Sequence, residues 1–196
     1  MNLKQSRSLR HNGTPLNLLS LLYLKLNSTF YSPLQRLLMN DVWFGIHVPS
    51  EGRDFQEMER ICQAVEHNGF DLFTVTDHLM NMRNPTGRGN HSLESWTTLA
   101  GLAAVTDRIK LAPLVSCYGY RRPTILAKMA TTVDIISNGR LVFGIGAGWH
   151  EAEFNDFMGR FPPARERLRG LRETIEICTH MFKHERTTHH GVPLSG

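Results

Sequence analysis

Asp77-His78, Ser116-Cys117 and the run Gly144-Ile145-Gly146-Ala147-Gly148-Trp149-His150-Glu151 hold most of this sequence's reactive side chains. An imidazole titrates near neutral pH, so His78 can transfer a proton or hold a ligand ring in place. Asp77 beside it can organise the loop or share the ligand. Ser116 to Arg122 combines aromatic faces, a thiol and two guanidinium groups. Aromatics stack on planar cofactors, and Arg121 or Arg122 can grip a carboxylate or phosphate. Cys117 has no patterned base to activate it, so a structural thiol is the better reading. Glycines at 144, 146 and 148 let the backbone approach a ligand closely. The run departs from a dinucleotide fingerprint, because Trp149 stands where the third glycine belongs. His150 with Glu151 and Glu153 lacks a third-ligand pattern, and no metal is expected.

These groups need elements to position them, and a strand–helix unit repeats through the sequence. Val42 to Val48 is a near-continuous apolar run, expected as a strand buried on both faces. Asp54 caps the helix that follows, with Glu57 three residues later. Met58, Ile61, Cys62 and Val65 share one helical face, and Asn68-Gly69 ends it. Phe70 to Thr76 reads as a second strand, a polar loop spans Asn81 to Ser92, and Leu93 to Val105 reads as a second helix. Ile109 to Val115 is a third strand, in which Pro113 predicts a bulge or an early end. Pro123 opens a third helix with the stripe Leu126, Met129, Ala130, Val133 and Ile136. Leu141 to Ile145 is a fourth strand, and a fourth helix runs from about Arg165 to Phe182. Asp77-His78, Ser116-Cys117 and Gly146 to Glu151 all fall where strands end, which is the catalytic face of a parallel α/β fold.

Composition limits the function classes. The 196 residues are 41% apolar and 20% charged, ordinary for a globular protein with a real core. The net charge is +4, but Lys4, Arg7, Arg10, Lys25 and Arg36 stand in an acid-free start, leaving the body near neutral. No nucleic-acid partner is expected of such a body. Three unclustered cysteines fit a reducing, cytoplasmic location, and no apolar run reaches the ~18 residues of a membrane span. Residues 1–38 are expected to be a disordered extension or one translated from upstream of the true start, Met39 being a natural beginning. Residues 39–183 form the body. Residues 184–196, with His184, His189 and His190, form an irregular tail, expected to be disordered rather than metal-binding.

The run Asn138 to Glu153 resembles the fourth-strand signature of the bacterial luciferase-like flavin and deazaflavin oxidoreductases. Arg122 to Asp134 resembles their third helix, Thr76-Asp77-His78 their second-strand end, and Phe161-Pro162-Pro163 with Arg165 to Leu168 the segment before their fourth helix. The resemblance covers about residues 42–183. It implies a TIM (β/α)8 barrel of luciferase-like type, of which the first four β/α units are present, a half-barrel. The form Ala147-Gly148-Trp149-His150-Glu151 is most similar to the branch that uses coenzyme F420.

By position, the resemblance implies that His78 is catalytic and lies beside the cofactor ring. Asp77, Ser116, Cys117, Ala147, Gly148, Trp149 and His150 would bind the cofactor. Ser116-Cys117 would occupy the third-strand bulge, often a non-prolyl cis peptide, that backs the ring. The implied activity is hydride transfer between F420 and a small organic substrate. One alternative is an FMN-dependent monooxygenase; another is an inactive, truncated half-barrel that only associates or misfolds. A homo-oligomer is expected, because a four-strand sheet leaves two edges open.

Overall fold

The computed structural model describes residues 42–82 and 91–188. The chain divides into two units at Val42/Trp43, and the elements below belong to the second. The expected extension over residues 1–38, most of the polar loop after the second strand, and His189 and His190 lie outside the described residues.

Three strands lie side by side in chain order: β1 (Gly45–Val48), β2 (Leu72–Val75) and β3 (Lys110–Pro113). Both pairings are parallel, with Ile46, Phe73 and Leu111 in one row. A second parallel pair joins β4 (Ser116–Cys117) to β5 (Ile145–Gly146). A parallel bridge from Leu111 to Leu141 links the two, so the third and fourth strands of the sequence run together. Their register offset is 30 residues at Leu111↔Leu141 and 29 at Ser116↔Ile145. One extra residue therefore sits in the third strand, a bulge. It falls around Pro113, which has no N–H for the ladder. The expected single strand over Ile109 to Val115 is thus two short ones, separated by a cis peptide bond between Leu114 and Val115. The resemblance placed such a bond at Ser116-Cys117; it falls earlier, between Leu114 and Val115.

Among the described residues five helices accompany the strands: α1 (Phe55–His67), α2 (Ser95–Ala104), α3 (Pro123–Ile136), α4 (Glu151–Met158) and α5 (Ala164–Lys183). The Asp54 carboxylate caps α1 by accepting from Glu57 N–H at 2.7 Å. Glu94 caps α2 in the same way, accepting from Trp96 and Thr97 N–H. Helix α3 begins at Pro123, as its sequence requires. Buried Met58 and Cys62 of α1, Trp96, Leu99 and Leu102 of α2, and Leu126 and Val133 of α3 pack on Phe73, Val75 and Leu111. Full burial of such side chains is worth about 1.5–3 kcal/mol each.

Two expectations change here. β1 is covered on one face only: Val48 is buried and Ile46 half-buried, while Gly45 and His47 are exposed. Strand side chains alternate, so helices packed on one side bury only every second residue. Helix α4 was not expected, because its eight residues carry no long apolar stripe. His150 caps it, accepting from Glu153 N–H, and Gly159 ends it at φ +78°.

Candidate active site

The four strand ends converge through hydrogen bonds rather than apolar contact. Asp77 follows β2 and is buried. Its Oδ2 accepts from Cys117 N–H at 2.8 Å and from Ser116 Oγ at 3.1 Å. Arg121 closes on both carboxylate oxygens at 2.8 Å, and also binds Glu94. Such forked pairs are strong and directional. Burial opposes the Arg121 charge, but the Asp77 and Glu94 contacts outweigh it and hold its pKa above the usual value. Arg121 is thereby spent inside the protein, while Arg122 is exposed at the start of α3. Ser116 is fully buried, accepts from Trp96 Nε1 at 3.0 Å, and does not line the cavity described below.

His78 is held differently. Its Nδ1 lies 2.8 Å from Glu153 Oε2, and Tyr120 Oη donates to the same oxygen at 2.7 Å. The other oxygen, Oε1, accepts from Leu79 and Met80 N–H at 2.6 and 3.1 Å. His150 Nδ1 stands 3.6 Å from Oε2. Glu153 itself is fully buried. The hydrogen bond that His78 makes to Glu153 raises the His78 pKa, and burial only partly opposes it. For Glu153, burial pushes the pKa up, but bonds from His78, Tyr120 and the backbone win and hold it below the usual carboxylate range. Tyr120 is driven up by burial and by its bond to Glu153, so it stays a neutral donor.

A cavity of about 320 Å³ opens between these groups. Asp77, His78, Cys117, Ala147, Gly148, Trp149 and His150 line it, with Leu114, Val115, Tyr120 and Gly146. Seven of the eight expected site residues therefore meet in one place, and Ser116 is the exception. The Trp149 ring stands edge-on to His78 at 5.7 Å and is 65% exposed, so it forms a mouth rather than a wall. Gly148 has φ +69°, and a Cβ there would lie 2.6 Å from both Cys117 Sγ and the Phe154 ring. Only glycine fits this turn. Burial pushes the Cys117 thiol up to about 12, which removes it as a neutral-pH nucleophile.

Sequence reasoning left Glu153 without a role, and it offered Tyr120 only among the aromatics that could stack on a ring, whereas Tyr120 donates to Glu153. The signal for Glu153 was its spacing: three residues after a capping His150, it lies in the first turn of a helix, aimed back at the strand ends. Tyr120 carried no comparable signal. Among the described residues, no group of three or more His, Cys, Asp or Glu is placed to hold a metal ion, and no helix is long and apolar enough to cross a membrane.

The sequence profile of a family described as luciferase-like monooxygenase matches residues 37–193. The chain belongs to the luciferase-like monooxygenase family. Its curated relatives include the pyrimidine monooxygenase RutA of Acinetobacter baylyi, 36% identical over 139 residues, covering 69% of this chain and 37% of that protein. The chain thus spans little more than a third of that relative's length. Among solved structures, the oxygenating constituent of 3,6-diketocamphane monooxygenase from Pseudomonas putida, in complex with FMN, superposes with a TM-score of 0.61. It is 20% identical and covers 76% of this chain and 42% of that one, so it shows the fold alone. The F420-dependent tetrahydromethanopterin reductase of Methanopyrus kandleri gives a TM-score of 0.57 at 26% identity, covering 71% of this chain and 40% of that one. The luciferase-like family is thus common ground between the sequence resemblance and these likenesses, and the parallel α/β fold agrees with both.

Proposed function

We propose that this chain forms the ring-binding part of an FMN-dependent monooxygenase that acts on a small organic substrate. The observation that carries the reading is the wall chemistry of the cavity. Leu114 and Val115 present apolar side chains that are 55% and 42% exposed, and His78 stands at the same cavity with a raised pKa. A flavin ring has apolar faces, and its reduced form carries negative charge on one edge. Leu114 and Val115 suit the face; a protonated His78 suits the edge. At about 320 Å³ the cavity lies at the small end of the ~300–1,000 Å³ range of ligand sites. None of its lining residues is Lys or Arg, so it fits a ring better than a phosphate.

A bound flavin would supply the activation of dioxygen. The protein's own residues would do the rest. Leu114 and Val115 would seat the ring, Trp149 would restrict water at the mouth, and His78 would hold or move a proton at Nε2. His150 and the backbone of Ala147 and Gly148 would complete the binding wall with Asp77 and Cys117 behind it.

The sequence resemblance leads with F420 and hydride transfer. The monooxygenase relatives favour the FMN alternative instead, and pyrimidines are the first substrate class to try, since that is what the 36% identical relative is named for. The 26% identical reductase supports F420 as the second reading. The four parallel strands, in chain order, are read as the first four units of a (β/α)8 barrel. Homo-oligomerisation and a cytoplasmic location belong to the same proposal, the latter supported by three free, buried cysteines.

Fluorescence titration of the full chain with FMN and with F420 tests the cofactor. FMN binding is expected, with quenching of Trp149. Binding of F420 without FMN overturns the FMN reading in favour of the second, and binding of neither overturns both. With reduced FMN, uracil and labelled dioxygen, mass spectrometry is expected to find one labelled oxygen in the product.

A further inference from the structure

Glu153 has a role that the family likeness does not name. Its carboxylate is fully buried and receives four donors from two segments: His78 Nδ1 and the N–H groups of Leu79 and Met80 from the stretch after β2, and Tyr120 Oη from the stretch after β4. An ionised carboxylate only accepts hydrogen bonds. His78 must therefore carry a proton on Nδ1 whenever that 2.8 Å contact is made. The remaining ring nitrogen, Nε2, has no hydrogen-bond partner among the described residues, and the ring lines the cavity.

We infer that Glu153 is the positioning residue of this site, fixing His78 in the Nδ1–H form so that Nε2 alone faces the ligand. A neutral His78 then offers a lone pair to the cavity, and a protonated one offers an N–H. Glu153 also fixes where the ring sits. By gripping the backbone of Leu79 and Met80 it anchors the segment after β2 to α4, so the segment that carries His78 cannot move away without breaking three bonds. Ser92 Oγ completes the clamp by donating to His78 O at 3.0 Å.

The groups that face His78 from the surrounding elements are consistent with this. Glu51 after β1 and Asp77 after β2 act on it as charges and favour the protonated form, as does Glu153 from α4. Tyr120, after β4, shares the same carboxylate oxygen but stays neutral. The His150 ring centre lies 6.1 Å away, and Trp149 contributes an aromatic edge. Glu153 is thus the single acid in direct contact with the His78 ring among the described residues. Orientation of an imidazole by a carboxylate on its other nitrogen is a recurrent way of setting which nitrogen works.

The inference deepens the proposed function by giving His78 its working atom, and its test uses no flavin. Nitrogen NMR of the full chain with labelled histidine reports tautomer and titration for each ring, and the His78 signal is assigned by its loss in His78→Asn. In the wild type, the neutral form of His78 is expected to be the Nδ1–H tautomer. In Glu153→Gln, a mixture of tautomers and a downward shift of the His78 midpoint are expected. An Nε2–H tautomer in the wild type overturns the inference, and that outcome needs no variant to fold. An unchanged titration and tautomer in a folded Glu153→Gln overturns it too. Failure to bind FMN in the separate titration bears on the cofactor alone and leaves this result standing.

Discussion

Asp77 and His78 are neighbours with opposite duties. Asp77 looks inward and is saturated by Arg121, Ser116 and Cys117. His78 looks outward, with one nitrogen fixed and one available. The sequence placed both at a strand end but could not separate them, because the separation depends on Arg121 and Glu153, which are 44 and 75 residues away from their partners. The His78–Glu153 contact should be visible in stability. The folded His78 pKa is raised above its unfolded value of 6.5, so the stabilisation is complete below about pH 6.5 and is lost as pH rises through the folded value. Glu153 acts at the other limit: its folded pKa is lowered, so its contribution exists above its unfolded value of 4.5 and is lost as pH falls through the folded one. His47, lowered mainly by burial, works against stability on the acid side. Urea unfolding of wild type and His78→Gln isolates the pair. The wild-type advantage is expected to shrink as pH rises above about 6.5, and a constant difference across that rise would sink the assignment.

Among the elements, those with a long period were legible and the short ones were not. Helices α1, α3 and α5 have apolar stripes and clear stops, and their expected limits lie close to the observed ones. Pro113 signalled the bulge because a missing N–H is a local property. Helix α4 escaped, since eight residues with acids in the first turn make no stripe. Yet α4 supplies Glu153 and packs Phe154 against Gly148 and Tyr120. Its junction with β5 depends on Gly148, whose φ of +69° and 2.6 Å clearances leave no room for a methyl group. Gly148→Ala combines a left-handed backbone with two overlaps, and is expected to cost about 1–3 kcal/mol. For a chain of this size that is roughly 2–4 °C of melting temperature per kcal/mol, read by calorimetry. Truncating Cys117 in the same chain removes one overlap and is expected to restore only part of the loss, because the backbone conformation and Phe154 remain.

On the scale of the whole molecule, the two ends of the sheet divide stability from binding. The cavity groups gather beyond the C-terminal ends of the strands. At the opposite end Arg140 donates to Ser137 O, Thr106 Oγ1, Ile109 O, Ala103 O and Thr106 O, all within 2.9 Å. These acceptors lie at the C-terminal ends of α2 and α3 and at the entry to β3, where helix carbonyls lack partners and favour a cation. Glu66 serves the same end, its Oε1 accepting from Asp107, Arg108 and Ile109 N–H. Neither residue lines the cavity. Only a planar fork reaches acceptors in so many directions, and a lysine ammonium cannot. Arg140→Lys is therefore expected to lose at least two of the charge-assisted bonds and about 2–4 kcal/mol of unfolding free energy. It should leave the cavity unaltered. With the variant held below its melting point, its affinity for the cofactor is expected to equal that of the wild type. A Gly148→Ala protein of similar stability should bind more weakly, since Gly148 is part of the cavity wall. Matched losses of stability with unmatched losses of binding are the signature of a sheet whose two ends do different work. If Arg140→Lys weakens binding as much as Gly148→Ala does, the ends are coupled and the division is wrong.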